Sequence, residues 1–243
     1  DQVYSAADFS RDATDAIKRI SKRKKTPLLV GGTPFYYKAL TGALSKDLPK
    51  DLTVRKELEE EIDSKGLFSL YTELKKIDTA LAARIHPNDT TRIMRGLEIY
   101  RITNKSASWW YKNQKKTDSL YDILYIGLIR SRKILYKNIE QRVKIQFASG
   151  YPEEVKWLLN NGYSPKLSAL QGFGYRELIN FFNSHCSFSE AIYDDIKHTK
   201  TFSRKQMTWF KHFEPIHWFD LDTSTTTKTL DDILNKTKEH IGQ

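Results

Sequence analysis

The sequence predicts an α/β protein: a parallel-sheet core interrupted by an all-helical insertion. Three observations carry this. Pro27 to Val30 is a short apolar run that stops at Gly31-Gly32 and gives way to an amphipathic stretch with Pro34 at a first helical position. Ile123 to Ile129 is a second apolar run, again followed by an amphipathic segment. Between them, from Ser45 to about Asp118, the chain is rich in charge and poor in strand-like runs. The core therefore spans 1–44 and 119–243, with a helical insertion over 45–118.

The elements follow in order. Tyr4 to Arg23 starts at Ser5, a good N-cap, and spaces Ala6, Phe9, Ala13, Ile17 and Ile20 for one apolar helical face. No strand precedes it, whereas α/β folds normally start with one, so the N-terminus reads as cut off. The strand–glycine–helix unit comes next. Glycines let a ligand approach the backbone, and a helix N-terminus offers N–H groups to an anion; an ordinary strand-to-helix turn fits the same residues. Val54 to Ser64 is a charged helix broken by Gly66, Leu67 to Lys76 continues, and Asp78 caps a further helix. Pro87 and Asn88-Asp89 start a helix that runs through Arg101, with Arg92 and Arg95 on one face. Trp109, Trp110 and Tyr111 lie among lysines up to Lys116, a pattern that suits RNA stacking and equally a tryptophan pair packed under a loop. After the second strand, Arg130 to Gln146 turns Ile134, Leu135, Ile139, Val143 and Phe147 inward, and Tyr151 to Asn160 is helical. Ser168 to Arg176 is an unusual turn, with Gly172 and Gly174 bracketing Phe173. Phe188 to Phe213 is a long helix, Ile216 to Asp220 a late strand, and Thr229 to Ile241 a last helix.

Bulk properties narrow the function. The 243 residues carry a formal charge of +10 and a pI near 9.4, which suits a polyanionic partner, nucleic acid first and an anionic membrane second. A generally basic protein without such a partner has the same balance. The single cysteine, Cys186, excludes an internal disulfide and supports no cysteine-based zinc site. No run approaches the length of a transmembrane helix, no G-x-x-x-x-G-K-[ST] phosphate loop is present, and no histidine pair has ligand spacing, so His86, His198, His212 and His217 read as loop, core or surface residues. Asp194-Asp195 reads as a solvated helix face rather than a metal site. From the residues alone the ligand class is phosphate or nucleic acid.

Several stretches, in order, resemble the tRNA dimethylallyltransferases (tRNA isopentenyltransferases): YSAADFSRDA from Tyr4, PLLVGGTPFYYKAL from Pro27, ARIHPNDTTRIMRGLEIY from Ala83, IEQR from Ile139, GFGYREL from Gly172 and TKTFSRKQMTWF from Thr199. The resemblance covers essentially the whole chain. It implies a P-loop-type, ATP-binding-like core with a helical insertion, in a cytoplasmic, monomeric transferase with no membrane partner. The implied reaction moves a dimethylallyl group from dimethylallyl diphosphate to N6 of the adenosine 3′ of the anticodon, using Mg²⁺, with the anticodon stem-loop of tRNA as partner and the adenine taken out of the loop.

Residue by residue, the resemblance implies that Gly31, Gly32 and Thr33 line the channel, with Thr33 touching tRNA. Thr33 and Arg142 form the catalytic set, Arg142 beside the diphosphate. Arg55 contacts tRNA, as do Thr91, Arg92, Ile93, Met94 and Arg95, chiefly through the two arginines. Gln171, Gly172, Phe173, Gly174, Tyr175 and Arg176 form another tRNA-contacting loop. Lys200, Arg204, Lys205 and Gln206 face the anticodon arm or the active site. The chain departs from the pattern at Lys200 and Lys205, where many relatives have Arg and bidentate geometry, and at Gln171, often basic elsewhere. The family's phosphate loop and catalytic aspartate lie upstream of YSAADF, so the chain as given is expected not to catalyse transfer alone. Two rival readings are an adenylate isopentenyltransferase acting on free nucleotides and a non-catalytic RNA-binding protein; a nucleotide kinase would share the core without RNA affinity.

Overall fold

A computed structural model describes residues 4–42, 48–113 and 121–242. The chain divides into two compact units, one of Asp1–Ser5, Lys25–Pro34 and Asp122–Gln243, the other of Ala6–Lys24 and Phe35–Tyr121. The second unit takes in the segment read as an insertion together with the first two helices. Ser45 to Asp47, where the insertion was expected to start, and the lysines at 115 and 116 lie outside the described residues.

The helical unit contains α1 (Ala6–Lys22), α2 (Pro34–Leu40, from its second residue), α3 (Leu52–Lys65), α4 (Leu67–Ile77), α5 (Thr79–Ala82), α6 (Thr90–Thr103) and α7 (Ala107–Asn113). The caps explain the boundaries. Asp51 accepts from Thr53 N and Val54 N to start α3, and Asp89 accepts from Arg92 N to start α6. Asp78 starts a single turn that ends before Ile85, shorter than the spacing predicts. Leu58, Leu70, Leu74, Ile85, Ile93 and Leu97 form the core of α3, α4 and α6. Phe9 of α1 stacks on Tyr36 of α2, with ring centroids 4.4 Å apart.

The other unit holds β1 (Tyr125–Ile129), α8 (Arg132–Ala148), α9 (Tyr151–Asn160), α10 (Tyr175–Phe182), α11 (Phe188–Phe210), β2 (Ile216–Asp220) and α12 (Thr226–Ile241). β1 and β2 pair in parallel, Tyr125 opposite Ile216 and Ile129 opposite Asp220. Ile139, Val143 and Phe147 of α8 pack with Val155, Leu178, Ile179 and Ala191. Ile134, expected inside, is 38% exposed.

Two strand predictions need correction. Pro27–Val30 forms no strand among the described residues; Leu28 and Val30 are 82% and 83% exposed. A parallel strand is defined by its neighbours, and an apolar run cannot report whether one is there to pair with. The second strand is two residues shorter than expected and only half covered: Gly127 is buried while Leu128 is 55% exposed.

Candidate functional site

In the strand-containing unit, many of the residues singled out from the sequence lie on the turn before α10 and on α11. Gly174 has φ +84°, a backbone state that L side chains rarely adopt, and a Cβ there would meet the Tyr151 ring at 2.5 Å. Gly172 has an ordinary φ of −63°, against the expectation that both glycines supply positive φ. Tyr151 Oη donates to the Phe173 carbonyl at 3.0 Å, fixing the turn from α9. Phe173 is partly exposed and lies against His198 and Phe202 of α11. Gln171 donates to the Pro165 carbonyl, and Tyr175 donates to Glu154, which pushes its phenol up to about 12.

The hub of this turn is Glu177, buried at 3% exposure. Its Oε2 accepts from Gly174 N at 2.7 Å. Its Oε1 accepts from Arg176 Nη2 at 2.7 Å and lies 2.8 Å from His198 Nδ1. Burial pushes this carboxyl up, but the Arg176 and Gly174 hydrogen bonds outweigh it and hold the group below its ordinary range. His198 Nδ1 also lies 3.1 Å from Arg176 Nη2, so the imidazole joins the Glu177–Arg176 pair, and Nε2 has no partner among the described residues. One turn back on α11, Asp195 is also buried and accepts from Thr199 at 3.0 Å. Burial raises its pKa, the Glu177 charge adds to the rise, and Arg142 and His198 oppose it. The solvated-face reading of Asp194-Asp195 therefore fails for Asp195: helix periodicity turns it inward while Asp194 is half-buried.

Along α11, Lys200 is ion-paired with Glu140 and lies over the Tyr136 ring. Arg204 donates to Tyr136 Oη at 3.3 Å, and Lys205 is exposed. Gln206 donates to the Gly32 carbonyl at 2.6 Å, so the glycine pair and α11 meet within one unit. A Cβ at Gly32 would lie 2.6 Å from Gln206 Nε2, a close approach that only glycine allows without the amide moving. Gly31 and Thr33 are exposed. Arg142 is exposed on α8 and has no ion pair among the described residues.

In the helical unit, Arg55 and Arg95 converge on Glu98, which is fully buried. Arg55 donates through Nε at 2.9 Å and Nη2 at 3.3 Å. Arg95 Nη1 donates to Glu98 Oε2 at 2.5 Å and to the Pro49 carbonyl at 2.8 Å, and its Nη2 reaches the Leu48 carbonyl. Asp51 N donates to the same carboxylate. Burial raises the Glu98 pKa, and the two guanidiniums with that N–H more than reverse it. Thr91 and Arg92 are exposed and Met94 is half-buried, but Ile93 is sealed in the core and its side chain offers nothing to a ligand. Among the described residues no group of three or more His, Cys, Asp or Glu side chains could hold a metal ion. Among the same residues, no helix is long and apolar enough to cross a membrane.

A parallel strand pair flanked by cationic helices defines an α/β protein with surfaces suited to an anionic partner. The IPP transferase family model matches residues 1–213, and the chain belongs to that family. A tRNA dimethylallyltransferase of Geobacter sulfurreducens is 40% identical over 220 residues, 90% of this chain and 71% of that protein. One from Halothermothrix orenii is 36% identical over 242 residues, 99% of this chain and 74% of that protein. Among solved structures, the tRNA isopentenylpyrophosphate transferase of Bacillus halodurans matches with TM-score 0.66 and 31% identity, over 99% of this chain and 76% of the other. A eukaryotic dimethylallyltransferase acting on tRNA matches with TM-score 0.76 over 97% of this chain and 63% of the other. At 24% identity that likeness speaks for the fold alone.

Proposed function

We propose that this protein transfers a dimethylallyl group from dimethylallyl diphosphate to N6 of the adenosine 3′ of the anticodon in tRNA. The observation that carries the reading is the family match over residues 1–213, with relatives named for this activity at 36–40% identity. In the reaction N6 attacks the allylic carbon, the carbon–oxygen bond to diphosphate breaks, and the N6 proton leaves to an acceptor. The departing diphosphate needs cations that are already in place. Arg142, exposed and not committed to an ion pair among the described residues, is suited to that role. Lys205 and Arg204 add positive charge along α11, and the Gln206 bond to Gly32 keeps the glycine pair against that helix.

The turn at 171–176 would present Phe173 to RNA, with its backbone held by Glu177 and Tyr151. Thr33, Arg55, Thr91 and Arg92 would contact tRNA. A P-loop-type layout of the core, a division into core and insertion, Mg²⁺ dependence, a cytoplasmic setting and a monomeric state belong to the same reading.

The test is transfer by the full-length protein, offered an anticodon stem-loop RNA and 5′-AMP in competition. The reading predicts the prenyl group on the RNA, detected by mass spectrometry of the digested nucleosides. Prenyl on AMP alone would transfer the assignment to the free-nucleotide enzymes.

A further inference from the structure

The helical unit carries a cleft of about 340 Å³ lined by Leu81, Arg84, Ile85, Arg92, Arg95, Gly96 and Tyr111. Its size lies at the low end of small-ligand pockets. Leu81 and Ile85 give it an apolar wall, and Gly96 allows close packing, since a Cβ there would strike Leu74 and Leu81 below 3 Å. The polar groups around it divide into two kinds. Arg95 is committed inward to Glu98 and to the carbonyls of Leu48 and Pro49, so it is a strut of the wall. Arg84 uses only Nε, on the Ala80 carbonyl. Arg92 uses Nη1 on Asp89, in an exposed pair of a kind worth little in water. The remaining guanidinium nitrogens of Arg84 and Arg92 have no partner among the described residues.

The aromatic residues of α7 divide in the same way. Lys105 Nζ lies 3.8 Å from the Trp109 ring centroid and the Trp110 ring meets it edge-on, with Trp109 still 41% exposed. Trp110 donates to Thr103. Tyr111 is 47% exposed and has neither a ring partner nor a hydrogen bond among the described residues. Both tryptophan rings have partners of their own, and of the three aromatic residues only Tyr111 lines the cleft.

We propose that this cleft is a single-nucleotide subsite for RNA, Tyr111 stacking one base while Arg84 and Arg92 take the adjoining phosphates. The assignment rests on the RNA-modifying reading and adds to it Arg84 and Tyr111. It also removes Arg95 from the direct contacts. An aromatic face with guanidiniums at its rim and an apolar wall is the combination that holds an unstacked nucleotide.

The experiment is fluorescence anisotropy of a labelled anticodon stem-loop RNA titrated with the full chain across a salt series. Tyr111→Ala weakens binding about tenfold, within the range of one lost base stack, and Tyr111→Phe binds as the unaltered chain. Arg84→Ala and Arg92→Ala each lower the slope of log affinity against log salt by about 0.7. Thermal melting of each variant separates lost contacts from lost folding; the exposed Arg84 reports on the cleft independently of Tyr111. Unaltered binding by Tyr111→Ala, together with an unaltered slope for Arg84→Ala, overturns the subsite alone. A chain with no salt-dependent affinity for the RNA overturns the RNA reading and the subsite with it.

Discussion

Glu98 in the helical unit and Glu177 in the strand-containing unit are both buried carboxylates set among cations, and they differ in how fully their charge is met. Glu98 has two arginines and a backbone N–H. Glu177 has one arginine, a backbone N–H and a histidine, with a second buried carboxylate, Asp195, close enough for Glu177 to raise its pKa. The first arrangement carries excess positive charge and fastens a loop to a helix. The second holds two buried acids against few cations, beside the turn assigned to substrate. A saturated cluster stabilises, whereas an under-neutralised one is where a unit gives up stability for a site.

The contrast can be broken most forcefully at Glu98. Glu98→Ala leaves two guanidiniums facing an apolar interior, and the cost is about 3 kcal/mol, the low end for a broken buried pair because Arg55 is partly exposed. Urea unfolding of the variant measures it; a cost below about 1 kcal/mol would mean that water replaces the carboxylate. Glu177→Gln retains an acceptor for Gly174 N–H and loses the charge, so it costs about 1–2 kcal/mol and makes the 171–176 turn more open to proteolysis than the helical unit.

Asp195 sharpens the contrast through its sign. Its folded pKa is raised, so the folded state holds the proton more tightly and loses stability as pH rises through that pKa. Asp195→Asn therefore stabilises at pH 7, and the gain fades as pH falls to the ordinary aspartate range. Glu98 runs the other way: its folded pKa is depressed, so its contribution is present above the ordinary glutamate pKa and is lost as pH falls through the folded value. Melting temperatures of Asp195→Asn, Glu98→Gln and the unaltered chain, compared at pH 4 and pH 7, check both signs. The smallest effect is at Gly32, where Ala displaces the flexible Gln206 amide and costs about 1 kcal/mol or less through one lost hydrogen bond.

These hubs also mark the limit of what the sequence discloses. Helix starts were legible where their chemistry is local: Asp78 and Asp89 each cap the residues that follow. The apolar faces of α6 and α8 were legible from spacing, and the cationic face of α11 from the resemblance. Glu98 and Glu177 were not, since a glutamate on a charged helix looks the same whether it meets water or an arginine 43 residues away. His198 and Asp195 were hidden for the same reason. The apolar run at Pro27–Val30 misled in the opposite direction, because strand pairing is a property of two segments. At Trp109–Tyr111 the sequence shows three aromatics in a row but not which of them packs and which has no ring partner.

The central claim is transfer to the adenosine beside the anticodon, and the most direct measurement is nucleoside mass spectrometry of tRNA from cells with and without the gene. The predicted result is N6-prenylated adenosine, or a nucleoside derived from it, in tRNA only where the gene is present. Unchanged levels of that nucleoside in the absence of the gene, with no second enzyme of this family in the cell, would contradict it.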